Sequence, residues 1–137
     1  MSGILSDAHG RYTGTGRWAD AQGDSHGYKV ELELTPEGEH GLWLRFRHVF
    51  TEEQTPDVVM QIPLQVTAPG ILTFELAGMP QGLGYYTETA LHFTLPVQNA
   101  AVEATHIFGN GGCHVLGSSQ KNSLGRYIMW EEHLRRA

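Results

Sequence analysis

The run Gly10-Arg11-Tyr12-Thr13-Gly14-Thr15-Gly16-Arg17-Trp18 alternates residue by residue. Side chains along a strand repeat every two positions. Tyr12, Gly14, Gly16 and Trp18 therefore share one face, and Arg11, Thr13, Thr15 and Arg17 share the other. The first face carries two aromatics separated by two glycines. Glycine inside a strand marks a tight bend or a close backbone approach. A first strand that curves to close against a last strand carries such a pattern.

The segments that follow extend this reading. Tyr28 to Leu34 alternates with Tyr28, Val30, Leu32 and Leu34 inward and Lys29, Glu31 and Glu33 outward. Leu42 to Phe50 places Leu44, Phe46, His48 and Phe50 on one face, and Val58 to Val66 does the same for Met60, Ile62 and Leu64. Pro63 falls outward and lacks a ladder donor, which predicts a bulge or an unpaired position there. Shorter strands are expected over 71–76, 85–89, 90–95, 101–108 and 113–119, and a last one over 124–130, followed by a helical turn or tail over 131–137. The parity of 101–108 is open, and His106 joins Val102, Ala104 and Phe108 on one of its faces. Asn110-Gly111 is a hairpin turn, since both central positions tolerate positive φ. No segment keeps a 3.6-residue period over three turns. The fold class is all-β: a single antiparallel up-and-down barrel of about eight to ten strands over residues 1–137. Closure removes the open edges such a meander would expose, and a barrel of this size has room for a small ligand.

Composition narrows the function classes. The chain has 137 residues, a formal net charge of −6 and 17 glycines. The negative charge argues against nucleic acid, which needs a basic patch. Cys113 is the only cysteine, so neither an intrachain disulfide nor a thiolate cluster is expected. There is no basic-then-apolar leader pattern at the start and no apolar run of membrane-spanning length. A cytoplasmic protein that does not engage membranes is the expectation. Trp43 and Val49, on an outward face, are the residues a homodimer contact would use.

The segment Gly16-Arg17-Trp18 resembles the Gly-x-Trp signature on the first strand of lipocalins and their calycin relatives. The resemblance implies a lipocalin-like barrel in which Trp18 plugs the closed end. It also implies a basic residue of the final strand packed across the indole, and Arg126 in Gly125-Arg126-Tyr127 stands where that partner belongs. Gly16, Trp18 and Arg126 are thus structural closure residues, and any binding site lies at the opposite end. The run 10–18 together with His133 is also similar to the haem-binding nitrobindin barrels, a similarity that implies haem as the one cofactor to consider. The lipocalin Thr-Asp-Tyr motif and a long C-terminal helix are absent.

Candidate chemistry is sparse. The inward residues expected to contact a small hydrophobic or amphipathic ligand are Tyr28, Leu44, Phe46, His48, Met60, Phe74, Phe93 and His106. His48 and His106 are the two histidines that strand parity places among apolar side chains, and a buried polar group without a partner costs roughly 1–3 kcal/mol. Each is therefore either bonded locally or used on a ligand. No His-x-His occurs and no histidine/glutamate cluster falls on one inner face, so no metal site is expected. The cupin pattern fails where Tyr85 replaces its histidine. Cys113 reads as an apolar filler, since its neighbour His114 points to the opposite face. Two functions follow. One is a ligand-binding barrel; the other is a calycin-type enzyme with His48 or His106 as general acid or base.

Overall fold

A computed structural model describes residues 4–97, 100–119 and 127–137. It contains ten strands: β1 (Gly10–Asp20), β2 (Ser25–Glu37), β3 (Gly41–Phe50), β4 (Val58–Ala68), β5 (Ile71–Phe74), β6 (Gly82–Tyr86), β7 (Ala90–Val97), β8 (Ala100–Gly109), β9 (Gly112–Ser119) and β10 (Ile128–Arg136). Each pairs antiparallel with its neighbour in sequence, and β10 returns to β1 to close the barrel. Among the described residues no helix is long and apolar enough to cross a membrane.

The alternation that defines the strands also defines the interior. On β2, Tyr28, Val30, Leu32 and Leu34 are buried while Lys29 and Glu31 are exposed. Each fully buried Val or Leu contributes roughly 1.5–3 kcal/mol relative to exposure. A one-residue slip would reverse every such side chain, so these faces fix the register. Leu42, Leu44, Ile62, Leu64, Leu72 and Leu91 are wholly buried and fill the lower half of the barrel.

That lower end is sealed by a 3-10 turn, Ser6–Ala8, with Leu5 and Ala8 buried beneath it. Tyr12 reaches into it and its hydroxyl donates to the Ala8 carbonyl at 2.7 Å. Arg136 of β10 stands with its guanidinium carbon 5.2 Å from the Tyr12 ring centroid. It also donates to the carbonyls of His9, at 2.7 Å, and Asp7. A cation over an aromatic face at the join of first and last strand is therefore present, but at Tyr12 and Arg136.

This corrects the closure expected at Trp18. Trp18 lies at the other end, paired with Trp130 on β10, and its indole N–H donates to Glu53 at 2.8 Å. The reason is that Gly-x-aromatic occurs twice in the opening run, as Gly10-x-Tyr12 and Gly16-x-Trp18. Both share one parity, so alternation alone does not separate them. Arg126 lies outside the described residues.

Other differences have equally local causes. The last strand was expected over 124–130, yet the observed strand runs Ile128–Arg136 and includes the segment read as a tail. Its inward face holds Trp130, Glu132 and Leu134, and a buried glutamate interrupts the apolar alternation on which the reading depends. β6 begins at Gly82, earlier than the expected Tyr85, because its inward positions are glycines; the Phe74 ring occupies the space a side chain at Gly82 would take. Pro63 keeps regular register opposite Trp43, and the register shift comes later, between Val66 and Ala68. The open parity of 101–108 resolves with Ala104, His106 and Phe108 inward. Asn110 and Gly111 have φ of 53° and 73°, as the hairpin requires. On the outer wall, Arg45 covers Trp43 at 4.8 Å.

Candidate ligand-binding site

Above the aliphatic floor the interior changes character. Tyr28 on β2, His48 on β3, Glu132 on β10 and His106 on β8 all point inward. The Tyr28 hydroxyl donates to Glu132 Oε2 at 2.8 Å, and His48 Nε2 lies 3.1 Å from the same oxygen. Glu132 is 3% exposed. A buried carboxylate is costly unless paired and hydrogen-bonded, and here one phenol and one imidazole meet it.

Gly16 makes the phenol contact geometrically feasible. It pairs with Tyr28 on one side and with Glu132 on the other. A Cβ at Gly16 would stand 2.5 Å from the Tyr28 ring. The missing side chain lets the ring lie across β1 and place its hydroxyl at the carboxylate. The ring also packs against His48 at 4.8 Å and Phe50 at 5.6 Å between centroids. Burial, reinforced by the Glu132 charge, pushes the Tyr28 hydroxyl far above its ordinary range, so it remains a neutral donor.

His106 is the polar group left over. It is 4% exposed, stacked between Phe93 and Phe108, and its Nδ1 has no hydrogen-bond partner among the described residues. Burial pulls it down to about 4, against an opposing pull from Glu132. It is neutral at pH 7, with Nδ1 unpaired.

This has a consequence for acid stability. The unfolded chain binds a proton on His106 below about 6.5, whereas the folded barrel resists it until about 4. The stability held by neutral His106 is complete above pH 6.5 and is lost as the pH falls from 6.5 through 4, by on the order of 3 kcal/mol. Urea unfolding of the protein and a His106→Phe variant across that window should show a shallower decline in the variant. Parallel declines would show that His106 does not contribute.

The void beside these groups has a volume of about 40 Å³. Phe46, His48, Met60, Phe93 and His106 line it together with Leu32, Leu95, Val102, Ala104, Val115, Trp130 and Glu132, and Tyr28 does not. Leu44 belongs to the packed floor below, and Phe74 lies against Gly82 and edge-on to Phe93. Glu132 lies beyond the last strand expected at 124–130, whereas Trp130 is within it and was not among the expected ligand contacts. Parity carried from Trp130 through to Arg136 is the signal that finds Glu132.

The histidine through which the nitrobindin similarity implies haem does not face the interior. His133 is on the outer wall, with its side chain 70% exposed and its ring stacked 4.6 Å from that of His114. Cys113 is buried, and burial pushes its thiol up to about 12, in keeping with an apolar filler.

A closed ten-strand antiparallel meander with a short 3-10 turn at one end has close counterparts among solved structures. The S-type phycobiliprotein lyase CPES from Guillardia theta superposes with a TM-score of 0.77 at 9% identity, covering 97% of this chain and 90% of that one. The fold is calycin-like. Rv2717c from M. tuberculosis shares it at a TM-score of 0.75 and 16% identity, over 97% of this chain and 94% of the other. A protein of unknown function from the DUF3598 family of Nostoc punctiforme gives 0.73 at 14% identity, and there this calycin-like barrel spans 49% of the longer chain. No known family matches the sequence, and no curated protein matches it.

Proposed function

We propose that this calycin-like barrel binds a small amphipathic organic molecule whose polar end enters the void at Glu132, His48 and His106. The observation that carries the reading is a cluster of buried acid–base side chains set in an otherwise apolar interior, with one imidazole nitrogen left unpaired. Sites for small molecules have this composition: apolar walls and a few polar groups that fix orientation. The void of about 40 Å³ admits a head group, and the rest of the ligand lies toward the half-buried Met60, Val102 and Trp130. The likeness to a phycobiliprotein lyase concerns the fold and carries no substrate to this chain.

A second reading rests on the meeting of a histidine, a carboxylate and a tyrosine in one place: general acid–base catalysis on the bound molecule, with His48 moving the proton. One experiment serves both. Native mass spectrometry identifies what co-purifies, and Trp130 fluorescence follows its rebinding. Ala104→Leu, which fills the void without a new polar group, should lower affinity at least tenfold. Unchanged binding in that variant would place the ligand elsewhere. A compound returned chemically unaltered after incubation leaves binding alone, while conversion that disappears in His48→Gln selects catalysis.

A further inference from the structure

The outer wall carries a second cluster. His114 on β9 and His133 on β10 are direct cross-strand partners, and Glu131 is two residues before His133 on the same face. The two imidazoles stack at 4.6 Å with 12° between their planes. Both present Nε2 to one carboxylate oxygen, at 2.6 Å from His114 and 3.6 Å from His133. The three donor atoms all lie within 4.8 Å of one another.

We propose that His114, Glu131 and His133 bind a divalent transition-metal ion of the zinc or copper type. Two imidazole nitrogens and one carboxylate oxygen suit these ions, whereas magnesium and calcium favour all-oxygen sets. Ligand atoms around a tetrahedral ion with ~2.1 Å bonds stand about 3.4 Å apart. The spacing here reaches that with small rotations about the side-chain torsions. A surface ion pair is the simpler use of such residues and is worth 1 kcal/mol or less. It needs only one histidine, and here two converge on a single oxygen from adjacent strands that hold them in place. Three donors leave a coordination position free beside a surface groove lined by Ile107, Asn110, Gly112 and Arg135. The Thr15 backbone is directly opposite His133 on β1. Arg17, opposite Glu131, is engaged instead by Ser25 and Glu52 and does not compete for the carboxylate. The site is on the opposite side of the wall from the barrel interior, so it is independent of the ligand proposed there.

Untagged protein stripped with a chelating resin is titrated with Zn²⁺ by calorimetry and with Co²⁺ by visible absorption. The expected result is uptake of one equivalent, with a Co²⁺ spectrum of four-coordinate intensity. His114→Ala and His133→Ala should each weaken binding tenfold or more, and His40→Ala, an exposed histidine elsewhere, should not. Absence of stoichiometric uptake by the wild-type protein would overturn the proposal. So would undiminished affinity in the His114→Ala/His133→Ala double variant. All three side chains face outward, so far-UV circular dichroism of the variants should match the parent.

Discussion

Gly14→Ala is expected to lower the thermal unfolding midpoint by about 10 °C or more, the largest effect of any single methyl group in the opening strand. A Cβ there would overlap the carbonyl oxygen of His133 and crowd Leu134 across the β1–β10 seam. The obstacle is backbone, so no rotamer change relieves it, and the two strands must separate. Overpacking of this kind costs 1–3 kcal/mol and sometimes more. At roughly 3–5 °C per kcal/mol for a domain between the usual size classes, 3 kcal/mol gives the stated shift. Gly109→Ala is the control, since a Cβ there meets nothing within 4 Å and its φ lies outside the left-handed region. Calorimetric scans of both variants decide the matter. Equal midpoints would mean that the seam gives way more easily than its geometry indicates.

The second large effect concerns Tyr28 and Glu132. Tyr28→Phe removes the donor from a buried carboxylate and is expected to destabilise by about 1.5–3 kcal/mol, the range for hydrogen bonds to charged groups. Glu132→Leu removes the buried charge but leaves the phenol without an acceptor, at about 1–3 kcal/mol before any gain from relieving desolvation. The double variant leaves neither the carboxylate nor the phenol unpaired, and only His48 loses its partner. It should be more stable than Tyr28→Phe alone, with a non-additivity on the order of 1–3 kcal/mol. Guanidinium unfolding of the four proteins measures the cycle, and additivity within about 0.5 kcal/mol would show that the 2.8 Å contact carries little energy. Under the proposed function, the double variant should also fail to carry any molecule that co-purifies with the parent protein.

Much of the architecture was legible because strand alternation is a strong signal where one face is dry. β2, β3 and β4 follow from Tyr28, Val30, Leu32, Leu44, Ile62 and Leu64 with almost no other information. Legibility fails where an inward position departs from the apolar rule. Gly82 and Gly84 conceal the start of β6, and Glu132 conceals most of β10. The site suffers for the same reason. His48 and His106 stand out as polar residues on apolar faces, whereas Glu132 is the charged residue that breaks the alternation of β10. Long-range pairing is the other limit. His114 and His133 become neighbours only when β9 and β10 align, and no local pattern near either residue encodes that register. The duplicated Gly-x-aromatic pattern shows a third limit. Trp18 carries the resemblance to the Gly-x-Trp signature, while Tyr12, one pattern earlier, holds the sealed end.

Gly16 offers no functional group, yet it determines which functional groups meet. Neighbouring strands are ~4.8 Å apart, so a phenol on β2 and a carboxylate on β10 must together span about 9–10 Å of wall. They can do so only over a vacancy in the strand between them. A single methyl at Gly16 would lift the Tyr28 ring from the gap and separate the pair while leaving both residues intact. Over evolutionary time, barrels of this shape could acquire or shed their interior acid–base chemistry through exchange at this one silent position. A comparison confined to histidines, glutamates and tyrosines would record no change at all.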